Sequence, residues 1–485
     1  MSTLSTAECL AVALLAAAWV VPAWWLGTLT VGSQLYGAAA GAVALLFAGL
    51  ARHAGPPSPP VHPPRILPLL SVVCLSAFLA LLLCQALNPD RLLIPGPQVG
   101  TLQPLPHLAW LPTGLACPFD RLPGDTLLFT NAWRHLLVAA AVLLPLGALL
   151  VLPSRPPLVR ALLGLLFLHA VLFSAFAFVH NLSGSRAVLW FVTDPNFHLG
   201  APQFPFKNQQ AAYQVLLFAL TLSLRFAPPP LQPWPGLPGR NRWFAIGTAI
   251  VFFGTVTTRS RAGLLTAAVL VVVAVALALW PHRGEWRRHR RALAVSGIAA
   301  LVALVTLVSL PPVRATLHRA VELARSPGDL LVGGSFRRIL HDIAWEMTLD
   351  RPWFGHGAGC YLPLFPEYRP RVPAYLETVR REHPDTNRPV HTHADGDWIE
   401  FTAEYGFVGT ALLAAPWLAW LAALHRLRPS APAAILLAAG PVLVLVHGWI
   451  DFVLRNPAIL ALAAALAVLA LRSAQGAAAP APIRP

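Results

Sequence analysis

The chain has 485 residues, of which 56% are hydrophobic and 11% charged, with a mean hydropathy of +0.62. A soluble domain carries about 25% charged residues and a disordered chain is poor in apolar side chains, so both classes are excluded and a polytopic membrane protein remains. The formal net charge of +15 lies between apolar runs, where it orients the chain in a bilayer and gives no reason to expect nucleic acid as a partner.

At about 20 residues per crossing the chain accommodates about twelve spans. Apolar runs place them at Cys9–Leu26, Gly32–Leu50, Ile66–Leu87, Leu136–Leu152, Ala161–Val179, Gln209–Leu224, Trp243–Thr257, Ala262–Trp280, Leu293–Leu310, Phe407–Leu424, Ala433–Ile450 and Ala458–Leu471. The leader Met1–Glu8 has no positive charge, so the first run is expected to be a span and not a cleaved signal. Arg283, Arg287, Arg288, Arg290 and Arg291 crowd the linker after the eighth span, which the positive-inside rule puts in the cytoplasm. Counting outward, the loops with Arg52 and Arg65, Arg155 and Arg160, Arg225, Arg240 and Arg242, and Arg426 and Arg428 fall on the same side, as do both termini. Asn88–His135, His180–Asn208 and Pro311–Gly406 then face outside. Cys117 and Cys360 are on that side, where an oxidising compartment permits pairing.

The expected fold is therefore an all-α membrane protein with a large extracytoplasmic loop containing helices. A transmembrane bundle of about nine helices occupies 1–310. A loop domain follows over 311–406, then three C-terminal spans over 407–472 and a disordered cytoplasmic tail over 473–485.

The densest polar segment is Val390–Gly409, VHTHADGDWIEFTAEYGFVG, with His391, His393, Asp395 and Asp397 at alternate positions and then Glu400 and Glu404. Asp397 as N-cap and Glu400 three residues on form a capping box, and Gly406 closes the short helix before the tenth span. His391, His393 and Asp395 precede that box and are left for chemistry. The H-x-H-x-D spacing is similar to the metal-binding start of the metallo-β-lactamase fold, which continues with a further His where this chain has Gly396. It also needs a strand-rich soluble domain, so no metal is expected.

Thr257–Gly263, TTRSRAG, puts Arg259 and Arg261 at an outer membrane junction. Guanidinium forks match phosphate oxygens, whereas snorkelling arginines are favoured on the cytoplasmic side. Phe204–Tyr213, FPFKNQQAAY, holds Lys207, the single lysine, beside Asn208. In Phe336–Tyr361 a helix with Ile339, Ile343, Ala344 and Met347 on one face is expected. Arg337 and Arg338 stand at its start, where the dipole is already positive, so an anionic ligand competes with simple solvation as their reason. Asp451 and Arg455, in the short outer turn between the last two spans, are charges at membrane depth and are expected to hold partners. A transporter would concentrate its polar residues near the midplane; here they gather at the outer ends of the spans.

In this order the segments resemble the O-antigen ligase family of bacterial envelope glycosyltransferases, which includes O-antigen polymerases. The resemblance runs from about Leu182 to Pro457. FPFKNQQAAY is similar to the family's Pro-Phe-x-Asn-x-Asn element at Pro205, Phe206 and Asn208, and Ser260–Gly263 to its Ser-Arg-Gly segment. The Arg-led helix ending in Pro352, Gly355 and Gly357 resembles the family's Pro-x-x-Gly-x-Gly turn. THADGDWIEFTAEYGFVG resembles its His-Asn-Asp-Tyr-Leu-Gln run ending in Glu-x-Gly-x-x-Gly, here Glu404, Gly406 and Gly409. The family's usual His falls on Asp395, with His393 two residues upstream, so either serves as base. The resemblance implies a GT-C-like fold in the bacterial inner membrane with its active site on the periplasmic side. It further implies transfer of glycan from an undecaprenyl-pyrophosphate carrier to a lipid A–core or other sugar hydroxyl among membrane lipids, without metal or cofactor. Arg261, Arg259, Arg337, Arg338, Lys207 and Asn208 would bind the pyrophosphate, with Asp397, Glu400, Glu404 and Asp451 in supporting roles. A polymerase of the same family is the close alternative and a transporter the distant one.

Overall fold

The computed structural model describes residues 4–25, 27, 30–54, 66–94, 100–116, 131–185, 187–190, 192, 201–279, 335–382, 391–428 and 431–478. It is mostly helical. The long helices are α1 (Thr6–Trp24), α2 (Val31–Ala54), α3 (Ile66–Leu87), α4 (Ala132–Val151), α5 (Pro156–Leu182), α6 (Lys207–Arg225), α7 (Arg240–Thr257) and α8 (Arg261–Leu279). After α9 (Ser335–Asp350), α10 (Tyr361–Tyr368) and α11 (Pro373–Glu382) come α12 (Asp397–Leu427), α13 (Pro432–His447) and α14 (Pro457–Ala478). Every expected span except the ninth coincides with one of these helices. The ninth, the basic linker before it and Cys117 lie outside the described residues.

Among the described residues, 8 helices are long and apolar enough to cross a bilayer, and α13 is a shorter apolar helix. The twelve expected spans are thus supported as a multi-pass helical bundle and not as a count. Helix α6, less apolar than these, is the axis of the bundle: Ala211, Ala212, Leu216, Leu217, Ala219 and Leu220 are wholly buried. Wrapped by α5, α7, α8, α13 and α14, it meets protein in place of lipid and can carry polar groups as long as they are paired. Gln214 accepts from Ser174 at 2.6 Å and Gln210 donates to Gln203 at 2.8 Å. Close helix approach uses small residues, as membrane bundles do; a Cβ on Gly440 would lie 2.8 Å from that of Ala219.

Two expectations of layout are corrected. The segment 473–478, expected in a disordered tail, continues α14. The outer element is also not confined to 311–406 and not purely helical. Between α3 and α4, β1 (Pro89–Ile94) pairs antiparallel with β2 (Thr101–Pro104) and parallel with β3 (Gly114–Ala116). Leu93 and Leu115 of this sheet share one core with Ile339, Ile343, Ala344 and Met347 of α9, and with Phe365 and Tyr375. The amphipathic face read for α9 is therefore its buried face. Charge pairs reinforce the seam, Arg351 to Asp90 at 2.6 Å and Arg91 to Glu367 at 3.2 Å.

Candidate active site

The site is assembled where the outer element meets the tops of α6, α12 and the α13–α14 turn. Its foundation is an interlock of two glycine turns. Gly406 adopts φ +66° and breaks α12 into a short outer helix and a long span, as its position predicts, and a Cβ there would lie 2.3 Å from the Trp353 carbonyl oxygen. Main-chain hydrogen bonds then tie the two turns together: Phe407 N–H to Pro352 (2.7 Å), Val408 N–H to Trp353 (3.1 Å), His356 N–H to Ala403 (3.0 Å) and Gly357 N–H to Glu404 (2.9 Å).

The short helix 397–405 carries three carboxylates, and these are organised differently from the capping box expected. Gly396 is the N-cap and Asp397 is the first helical residue. The Asp397 carboxylate accepts from the Leu454 N–H at 2.6 Å, in the α13–α14 turn. Glu400 accepts from the Ala394 N–H at 2.8 Å and from His393 Nδ1 at 3.1 Å. The reason is Arg455, which reaches under all three: 2.8 Å to Glu404, 3.2 Å to Glu400 and 4.0 Å to Asp397. Its guanidinium also lies 5.1 Å from the centre of the Phe401 ring. Burial on its own would lower the Arg455 pKa, but Glu400 and Glu404 outweigh it and hold the group above its ordinary value. Arg455 is permanently charged and fixes the helix.

Above this cluster, Asp395 is held at φ +55°, a left-handed conformation that L-residues adopt at a cost. Arg337, in the first turn of α9, lies 3.7 Å from Asp395 and 3.5 Å from Asp451, bridging the two. Asp451 also accepts a short hydrogen bond from Asn208, the second residue of α6. Asp451 is buried, whereas 34% of the Asp395 side chain is exposed. Surrounding protein, then the Asp451 charge, raise the Asp395 pKa to about 6, with Arg337 opposing. Burial likewise raises Asp451. His341 donates from Nε2 to the Asp395 carbonyl at 3.3 Å, and burial lowers its pKa, so it is neutral. That ring leaves no space for a side chain at 396, where a Cβ would sit 2.7 Å from His341 Nε2.

His393 stacks on Phe452, ring centres 4.3 Å apart. Because its Nδ1 engages Glu400, a neutral imidazole presents Nε2 as the proton acceptor. His391 is elsewhere, packed among Phe336, Phe365 and Tyr375. The H-x-H-x-D residues thus diverge, and among the described residues no group of three His, Cys, Asp or Glu could hold a metal ion.

The remaining candidates sit around the same end of the bundle. Lys207 is the first residue of α6 and Arg261 the first of α8. The two helix starts touch, since a Cβ on Gly263 would lie 2.5 Å from that of Ala211. Arg259 precedes α8 with φ +59°. Arg338, next to Arg337 on α9, is exposed. The structure thus joins Asn208, Asp451, Arg337 and Asp395 by contact, whereas Lys207 and Arg261 open α6 and α8 and Arg259 precedes α8.

Sequence reasoning noticed Arg455 without its role, because its partners lie far away in the chain. It passed over His341, Arg134 and His135. The last two line a cavity of about 170 Å³ that runs from His393, Glu400 and Arg455 down between Phe78, Leu82 and Val142 of α3 and α4. An arginine at the start of the fourth span was the available signal.

Residues 246–414 match the family model described as O-antigen ligase. Over that stretch the chain is similar to the O-antigen ligase family. That match takes in α7, α8, α9 and the short carboxylate helix. The resemblance read from Leu182 to Pro457 extends beyond it on both sides, to Lys207, Asn208, Asp451 and Arg455. No curated protein matches the chain. The O-antigen ligase family consists of glycosyltransferase-like membrane enzymes that act on glycans and lipid-linked substrates, and this multi-pass helical chain fits that class.

Proposed function

We propose that the protein is an O-antigen ligase-type glycosyltransferase of the bacterial inner membrane, working at the periplasmic face. It moves glycan from undecaprenyl pyrophosphate to a sugar hydroxyl of a lipid A–core acceptor without metal. The observation that carries this reading is the contact chain Asn208–Asp451–Arg337–Asp395. It ties a partly exposed carboxylate to the start of α6, which opens with Lys207.

In the proposed reaction the acceptor oxygen bonds to the anomeric carbon of the donor sugar as the bond from that carbon to the pyrophosphate oxygen breaks. Asp395 takes the hydroxyl proton. Its pKa of about 6 makes it a stronger base than an ordinary carboxylate while leaving it mostly ionised near neutral pH. His393, oriented by Glu400, is the second candidate for the proton. The departing pyrophosphate gathers negative charge, which Lys207, Arg259, Arg261 and the starts of α6 and α8 would receive. The apolar walls of the cavity on α3 and α4 suit the first isoprene units of the carrier. Its polar end lies at His393, the residue two before Asp395.

The test is incubation of purified protein with undecaprenyl-pyrophosphate-linked glycan and a lipid A–core acceptor. Product on the acceptor supports the ligase reading. Elongation of carrier-linked glycan in its place identifies the polymerase alternative. Failure of both, or loss on chelation with recovery by zinc, overturns the proposal.

A further inference from the structure

At the opposite end of the bundle a second cavity, of about 520 Å³, opens among α5, α6, α13 and α14. That size is typical of small-molecule sites. Val159, Leu163, Leu224, Leu437 and Leu469 supply apolar walls, and among the described residues neither Asp nor Glu lines it and Arg472 of α14 is the one charged lining residue. Nη2 of Arg472 donates to the carbonyls of Leu149 (2.7 Å), Leu152 (3.1 Å) and Leu150 (3.4 Å), closing the C-terminus of α4. The same guanidinium holds Nη1 buried, with no acceptor among the described residues. A buried donor without a partner is costly, more so on a cation. The start of α13 reaches the same cavity through Ala431 and Ala433. A helix start and a guanidinium N–H therefore line the same apolar chamber.

We propose that this cavity is a site for an anionic phospholipid, its phosphate on Arg472 Nη1 and the α13 start and an acyl chain between Leu163, Leu437 and Leu469. The charge complementarity selects an anion and the walls select an amphiphile over free phosphate. Arg155 is neutralised by Glu8, but Arg225, Arg426 and Arg428, nearby in the chain, would draw anionic lipid toward this end. The site is independent of the transfer reaction and stands or falls without it.

Native mass spectrometry of the full chain, equilibrated in detergent with phosphatidylglycerol or phosphatidylcholine, tests it. Wild-type protein is expected to retain phosphatidylglycerol about tenfold better, the value of one charged hydrogen bond. Arg472→Gln should bring the two lipids to parity, and Leu437→Trp, which fills the chamber, should reduce retention of both. Equal retention by the wild type, or a preference that survives Arg472→Gln, overturns the proposal. Arg472 also closes α4, so if that variant does not fold, undiminished phosphatidylglycerol retention by Leu437→Trp overturns it equally. Displacement of the lipid by inorganic phosphate alone would exclude an amphiphile as the ligand.

Discussion

Asp395 and Arg455 are both ionised residues within a few ångströms of the same helix, yet they have opposite exposure and opposite tasks. Asp395 keeps an open face, so Asp395→Asn is expected to reduce transfer about 10²–10⁴-fold with no loss of thermal stability, measured on the same preparation. In the proposed reaction ionised Asp395 is the working form, so kcat/KM should fall as pH drops through about 6, and this limb should vanish in the Asn variant. The stability sign is the reverse. The carboxyl pKa rises on folding from an ordinary 3.8 to about 6, so its contribution is complete below 3.8 and is lost as pH climbs through 6. Arg455→Ala should instead destabilise the chain by about 3–5 kcal/mol, because it strands three buried carboxylates, seen as a lowered Tm before any assay. The sequence made the site legible as residue types: His393, Asp395, Arg337 and Asn208 all belong to segments singled out for chemistry. Asp397 and Glu400 were misread because a capping box is a local pattern, whereas the cation that claims them sits more than fifty residues downstream.

Elements were legible wherever lipid or core imposed a period. Apolar runs located the spans, and the spacing of Ile339, Ile343 and Met347 located the buried face of α9. Reading failed where tertiary contacts replace local pattern. Helix α12 starts ten residues before its apolar run, since Arg455 neutralises the outer turns, and β1–β3 are too short to stand apart from the prolines around them. Gly406 was read correctly as a break, although its reason is not helix termination alone. Gly406→Ala meets both a left-handed φ and the Trp353 carbonyl, and Gly355→Ala meets the Glu404 carbonyl at 2.4 Å. Each should cost more than the about 1–3 kcal/mol of backbone strain alone, read as lowered Tm and faster proteolysis of the outer element. Gly184→Ala, with φ +70° and open space around it, is the control limited to strain.

At the scale of the whole molecule the bundle has two chemically distinct ends. Arginines cap the helix ends around Arg155, Arg225 and Arg472, while the carboxylate-bearing helix, the sheet and α9–α11 share the other. Cysteines introduced at Arg259 and Thr392 should therefore react with an impermeant maleimide from the same side of the membrane, and one at Arg426 from the other. Labelling of 259 and 392 from opposite sides would dismantle the proposed site. The arginine-bearing loops were legible in the sequence, and the positive-inside rule proposes their end as the cytoplasmic one. The pairing of the first outer stretch with the last was not, since nothing in either segment names its partner.

The interlocked glycine turns carry a mechanical consequence. Main-chain bonds run from the 352–357 turn into the hinge of α12 on both sides of Gly406, and the hinge side bears Glu404, Glu400 and Asp397. A push on the outer surface of α9 or α10 cannot be absorbed by a slack linker there. Such a push would tilt the carboxylate helix, and through Arg455 the start of the final helix, so a load on this element reaches the ion cluster as torque.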